Sequence, residues 1–321
     1  MHAIAYLTAE DLRKEITNHL KSSHIGFAQH ENGVNVIVPG HRPMDWTTLG
    51  PPQPSHKAAK LTIYEETTTL VLSYLIDRFN ARVFFDVGAG IGYFSRIAAT
   101  HQSVPVSTHA FEMTPPRLET LRANLAKEGL GSRVKAHLAG ISDTHKGEVE
   151  IWYAHGMMFE TRPDPREARE AWWRRLKFAL RGDKTRELQS AQALITTLDH
   201  YAQSSRVWPD IIKIDVEGYE GAVLNGGKKV LSTRRPLVLL ELHKDKKLRF
   251  GTHRRDVVQL LFDLGYQALF FTDHQSKNTC EIVEVTAQSP LIARQETDLI
   301  LFFHRDYLIE RRHPETQGAM S

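Results

Sequence analysis

Three short segments carry the residue types that could do chemistry. The first is a glycine loop, Asp86-Val87-Gly88-Ala89-Gly90-Ile91-Gly92, followed at once by Tyr93-Phe94. Glycines let the backbone pass close to a ligand and take dihedrals closed to other residues. Tyr93 stands where the dinucleotide fingerprint G-x-G-x-x-G has its last glycine, so the loop alone specifies only a nucleotide-like cofactor. The second segment is Phe111-Glu112-Met113, about 20 residues further on, where a strand-end carboxylate can accept hydrogen bonds from both ribose hydroxyls of an adenosine. The third pairs Ile212-Lys213-Ile214-Asp215-Val216-Glu217-Gly218 with Leu237 to His243.

Alternation along a strand puts Lys213, Asp215 and Glu217 on one side, and Glu241 and His243 likewise. If the two strands are neighbours, one sheet edge gathers three carboxylates, a lysine and a histidine. A lysine inside a buried strand is costly unless paired, so Lys213 is either a carboxylate's partner or an active-site base or orienting group. His243, with an ordinary ring pKa near 6.5, suits a general base; the plainer role is a capping or lid-contacting histidine. Carboxylate oxygens also suit a divalent cation. No spacing reads as H-E-x-x-H or paired C-x-x-C, however, and no metal ligand is expected.

The elements that must position these groups follow from periodicity. Helical patterns cover Glu65 to Phe79, Phe94 to Thr100, Arg117 to Lys127, about Gly221 to Leu231, and Arg255 to Leu264. Between them lie buried-strand runs at 83–85, 108–111, 134–138, 210–215, 237–243, 266–271 and 298–303. Seven strands alternating with helices predict an α/β fold: a Rossmann-like, mainly parallel sheet with helices on both faces. Residues 1–60 hold strand-like runs such as Val34 to Val38 between turn-rich stretches, and read as a small N-terminal accessory region or cap. Residues 61–310 form the main domain and 311–321 a tail. An insertion at about 154–192 begins Pro-rich and becomes helical and basic through Trp172-Trp173-Arg174-Arg175. Its place among the sheet's connections suggests a lid.

The stretch Ile212 to Glu220, with Val223-Leu224 and Gly226 after it, resembles the signature of FkbM-type methyltransferases. So do Asp86 to Tyr93, Ala110-Phe111-Glu112, Thr197-Leu198-Asp199 and Pro236 to His243, in that order. The resemblance spans roughly Leu61 to His304. It departs at Ala89-Gly90, where Ala-Asn is frequent, and at Met113, where a proline is usual. It implies a class I methyltransferase fold, S-adenosylmethionine as cofactor with S-adenosylhomocysteine as product, and O-methylation of sugars, glycans or natural products. The expected cofactor-binding residues are then Asp86, Gly88, Ala89, Gly90, Gly92, Phe94, Glu112, Met113, Gly140, Ser142 and Asp215. The expected catalytic residues are Asp215, His243, Lys213 and Glu241. Glu65 and Glu66 either reach the cofactor's amino-acid end or favour a helix N-terminus through its dipole, the plainer role being preferred.

Composition bounds the rest. A formal charge of +3 is too weak to imply nucleic acid. The single cysteine allows no intrachain disulfide, and the N-terminus lacks a secretory pattern, so a soluble cytoplasmic protein is expected. The basic Trp172-Trp173 segment packs on the parent domain, contacts substrate, or rests on an anionic membrane surface. Two other functions stay open: a nicotinamide-dependent sugar oxidoreductase or epimerase, and a catalytically silent cofactor-binding module. The first lacks the tyrosine with a lysine four residues later that such enzymes usually carry. An Asn/Asp-Pro-Pro-aromatic motif, typical of base methylation, is absent at Asp215-Val216-Glu217-Gly218.

Overall fold

The computed structural model describes residues 7–31, 33–45, 64–154, 157–159, 162 and 189–305. The chain opens with helix α1 (Ala9–Ser22) and a small antiparallel sheet, β1 (Gly26–His30), β2 (Gly33–Ile37) and β3 (Met44–Asp45). There follow α2 (Glu66–Phe79), β4 (Val83–Val87), α3 (Tyr93–Thr100), β5 (Ser107–Glu112), α4 (Pro115–Lys127) and β6 (Val134–Ile141). Next come β7 (Gly147–Ala154), β8 (Met157–Phe159), β9 (Gln189–Thr196), α5 (Leu198–Ser205) and β10 (Ile211–Ile214). The last elements are α6 (Glu220–Asn225), α7 (Lys228–Thr233), β11 (Leu237–Leu242), α8 (Arg254–Asp263), β12 (Tyr266–Phe271), β13 (Ile282–Val285) and β14 (Asp298–His304).

Among the described residues the main sheet has eleven strands, in the order β13-β12-β14-β11-β10-β4-β5-β6-β9-β7-β8. The stretch from β11 through β10, β4, β5 and β6 to β9 is parallel, and the pairs outside it are antiparallel. All seven expected strands are present. The expected count is too low because β7, β8, β9 and β13 lie outside or at the end of the parallel core. Polar residues such as Glu148 and Glu150 of β7 keep these strands from reading as buried runs. The interruption at about 154–192 is therefore bordered by paired strands, and β9 takes its last residues. The basic helical lid around Trp172-Trp173, with its membrane-contact alternative, lies outside the described residues, as does the 311–321 tail.

Two buried clusters cover the faces of the sheet. One joins α1, α2 and α3 to β4, β11, β12 and β14; the other joins α5, α6, α7 and α8 to the opposite face. The N-terminal region begins with a helix that the strand-like reading missed. Leu12, Ile16 and Leu20 of α1, four apart, are buried in the first cluster. Thr8 and Asp11 close a capping box at its start. The single helix expected at 221–231 is broken in two at Gly226. A Cβ there would lie 1.9 Å from the Ser142 carbonyl oxygen, so the close approach of the chain after β6 requires glycine. No helix among the described residues is long and apolar enough to cross a membrane.

Candidate active site

The carboxyl ends of β4, β5, β10 and β11 meet at one edge of the sheet, where ligands of open α/β sheets sit. The glycine loop leaves β4 and is braced from two sides. Gly88 and Ala89 donate their amides to the Phe111 carbonyl at 2.9 and 3.0 Å. Gly88 has φ +85°, and a Cβ there would lie 1.8 Å from the Asp215 carbonyl oxygen, so glycine alone fits. The Gly90 amide donates to Glu112 Oε2 at 2.8 Å, and the Thr114 amide donates to Glu112 Oε1 at 2.6 Å. Glu112 thus locks the loop to β5, leaving each oxygen a second lone pair for a ribose. A Cβ on Gly90 would meet no atom within 4 Å, so the loop is open on that side.

Asp86 accepts from Ser95 Oγ at 2.6 Å, deep in the sheet. Burial raises its pKa to about 6 against the opposing pull of Lys213, its partner in the β4–β10 register. Phe94 turns its ring to the Lys213 ammonium, 4.5 Å from the centroid, and edge-on to Tyr93. Met113 packs on Gly140, where an added Cβ would come 2.4 Å from its sulfur. Ser142 turns its hydroxyl to Asp143 at 3.3 Å, so its side-chain contact lies in the turn after β6.

Strands β10 and β11 are neighbours, and they bring the expected catalytic residues together. Lys213 Nζ lies 3.2 Å from Asp215 Oδ2 and 3.8 Å from Glu241 Oε2. His243 Nε2 lies 4.0 Å from Asp215 Oδ1, 3.9 Å from Glu241 Oε1 and 3.5 Å from Glu217 Oε2. Burial would push the Lys213 ammonium towards neutrality, but Asp215, Glu65, Glu241 and Asp86 outweigh it and hold it charged. Glu241 moves the opposite way: burial and the negative charge of Asp215 raise its carboxyl well above the usual range. Burial also raises Asp215, yet the charge and hydrogen bond of Lys213 bring it below its ordinary value.

Two contributors escape a reading of the sequence, and a third stands elsewhere than its preferred role. Glu220 is fully buried at the start of α6 and holds His243 Nδ1 at 2.6 Å. It stands within the conspicuous stretch after Asp215, but only the return of β11 shows which side chain it meets. Arg254 of α8 pins the end of β11 by donating to the carbonyls of Leu242 and His243 at 2.8 and 3.1 Å. Glu65 departs from the preferred helix-dipole role: it takes φ +46° before α2, makes no capping bond, and is buried near Lys213 and Glu241. Its Oε2 has no hydrogen-bond partner.

A parallel-centred α/β sheet with a glycine loop after β4, an acidic end to β5 and an antiparallel β14 inserted between β11 and β12 matches the class I methyltransferase architecture. The family described as the methyltransferase FkbM domain matches residues 86–268, more than half the chain. The chain belongs to this family of S-adenosylmethionine-dependent methyltransferases. Among solved structures it is similar to an FkbM methyltransferase from Methylobacillus flagellatus KT, at 14% identity and a TM-score of 0.42, covering 77% of this chain and 56% of that one. The chain therefore spans little more than half the length of that relative. It is also similar to an O-methyltransferase from Bacillus cereus in complex with SAH, at 12% identity, 78% and 83% coverage and a TM-score of 0.37. A third similar structure is the O-methyltransferase TomG from Streptomyces achromogenes in complex with SAM, at 12% identity, 74% and 79% coverage and a TM-score of 0.36. No curated protein matches the chain.

Proposed function

We propose that this methyltransferase transfers its methyl group to a hydroxyl of a sugar, glycan or natural-product acceptor. The observation that carries this reading is the Asp215–Glu241–His243 cluster beside the open glycine loop. An alcohol is barely ionised at neutral pH, and such a cluster can take up its proton. When bound, S-adenosylmethionine supplies a methyl carbon made electrophilic by its sulfonium. The residues fit that cation: Gly90 leaves space beside the loop, Glu112 keeps lone pairs for a ribose, and Glu65 offers an unpartnered buried oxygen to positive charge. With the cofactor held by the loop and Glu112, an acceptor oxygen at the cluster would take the methyl carbon as the C–S bond returned its electron pair to sulfur. The hydroxyl proton would pass to the carboxylates that face His243 Nε2, Glu217 among them.

Phe250 supports a ring-shaped acceptor. It is 72% exposed, sits at φ +59° and packs edge-on against Tyr219 at 5.6 Å. The neighbouring Arg249 donates its amide to the Gly218 carbonyl at 3.0 Å, which places this aromatic at the rim beside Glu217. An exposed aromatic face of this kind suits stacking on a sugar. Incubation with methyl-labelled cofactor and a panel of glycans, sugar nucleotides and polyketides tests the reading. Label is expected as a methyl ether; label on nitrogen, or stabilisation by NAD(H) without stabilisation by S-adenosylhomocysteine, would overturn it.

A further inference from the structure

We propose that Asp215, Glu241 and His243 form a divalent-cation site, with Glu220 as the positioning residue for the His243 ring. The inference rests on the O-methylation reading and deepens it: the cation would anchor the acceptor hydroxyl and acidify it, and the proton would pass to Glu217, whose Oε2 stands 3.5 Å from His243 Nε2, with His243 a ligand and not the proton acceptor.

The arrangement of atoms carries the argument. One ligand atom from each of the three residues falls within 4.8 Å of the others. Asp215 and Glu241 each divide their oxygens in the same way. Asp215 Oδ2 and Glu241 Oε2 face the Lys213 ammonium at 3.2 and 3.8 Å, while Asp215 Oδ1 and Glu241 Oε1 face His243 Nε2 at 4.0 and 3.9 Å. The second pair of distances is too long for hydrogen bonds. It matches ligands sharing one ion at about 2.0–2.2 Å each, which stand roughly 3–4 Å apart.

The histidine is oriented for this task. Nδ1–H donates to the buried Glu220 carboxylate at 2.6 Å, which leaves the Nε2 lone pair directed at the two carboxylates. A carboxylate behind a ligating histidine is the usual support of a metal-bound imidazole, fixing its tautomer and ring plane. Glu241 is 8% exposed and its Oε2 has no hydrogen-bond partner, so the cluster as it stands leaves a buried acceptor unsatisfied. Glu65, Asp86, Glu220 and Glu241 are buried and Asp215 partly so, and Lys213 is the one ammonium buried among them in the described residues. One imidazole with two carboxylates suits Mn²⁺ or Zn²⁺ better than Mg²⁺, which prefers all-oxygen surroundings.

Titration of the chelator-stripped full chain with Mn²⁺ alone, followed by loss of the free-ion EPR signal and by calorimetry, tests the site without cofactor or acceptor. One equivalent is expected to bind. Glu241→Gln, which keeps the side-chain volume, and His243→Ala are each expected to abolish binding. Glu220→Gln is expected to weaken it by about 10- to 100-fold. His243→Ala should still bind S-adenosylhomocysteine as the parent does, which verifies its fold. No Mn²⁺ or Zn²⁺ binding at millimolar concentration, or binding unchanged in Glu241→Gln, would overturn the site. Methyl transfer to a hydroxyl without any bound cation defeats this inference and leaves the O-methylation reading standing. A bound cation with no methyl ether formed from any acceptor does the reverse.

Discussion

Two buried histidines in this molecule, His41 and His243, are each almost wholly removed from solvent, yet their surroundings differ in kind. His41, between β2 and β3 of the small N-terminal sheet, donates Nδ1–H to the Ile97 carbonyl at 2.9 Å and accepts from Ser73 Oγ at Nε2 at 2.8 Å. Both nitrogens are used, both partners are neutral, and burial drives the ring pKa down to about 3. This neutral ring ties the N-terminal region to α2 and α3. His243 uses one nitrogen on buried Glu220 and turns the other to three carboxylates that stand beyond hydrogen-bond reach. A buried polar ring with a closed set of bonds holds the architecture together, whereas one with an open lone pair among charges is arranged to meet something else.

The comparison breaks most visibly at the second histidine's support. Replacing Glu220 by Gln keeps an acceptor near Nδ1 but removes the charge that orients the ring. Turnover should fall by about 10- to 100-fold, with S-adenosylhomocysteine affinity unchanged. Steady-state kinetics beside calorimetry checks both halves. Equal turnover would place Glu220 with His41, among residues that serve the fold alone.

How far these roles were legible in the sequence depends on the distance over which a side chain finds its partner. Lys213, Asp215, Glu241 and His243 were placed on one edge correctly, because strand alternation is a local rule and parallel order brings β10 beside β11. The glycine loop was legible for the same reason. Glu220 and Glu65 were not assigned their surroundings, since each lies at a helix start and its contacts are made by a strand elsewhere in the chain. The missed strands β7, β9 and β13 carry polar residues on their open faces, so they lack the continuous apolar run of a doubly covered strand. Helix α1 was hidden among polar residues, its buried stripe being only Leu12, Ile16 and Leu20 with Ala9.

At the first histidine the expected loss is of stability. His41→Ala removes two buried hydrogen bonds, leaves the Ser73 hydroxyl only its long contact to the Pro39 carbonyl and the Ile97 carbonyl only its bond from Thr100 Oγ1, and opens a cavity. A destabilisation of about 2–4 kcal/mol is expected. Chemical denaturation measures it. Turnover per folded molecule should stay at the parent value, and a loss of turnover without a loss of stability would erase the contrast between the two rings.

The smallest effect is the pH dependence that follows from His41. Its folded pKa, about 3, lies below the ordinary value near 6.5 that it has in the unfolded chain. As pH falls below about 6.5 the unfolded state takes up a proton that the folded state refuses, so stability declines with acidification. The loss continues down towards the folded pKa and is absent at neutral pH and above. Between pH 6.5 and 5.5 the ring should contribute a decline of about 1 kcal/mol. His101, in edge contact with His41 at 4.8 Å, is also lowered by burial and adds in the same direction, while Asp77 beside it opposes that shift. His109, lowered to about 4, adds to the same decline from the centre of the sheet. Denaturation curves across this window should therefore be shallower with pH in His41→Ala than in the parent, but not flat. An identical slope in both would mean that the His41 ring is protonated alike in the folded and unfolded chain, and the closed neutral bonding pattern at Ile97 and Ser73 would have to be abandoned.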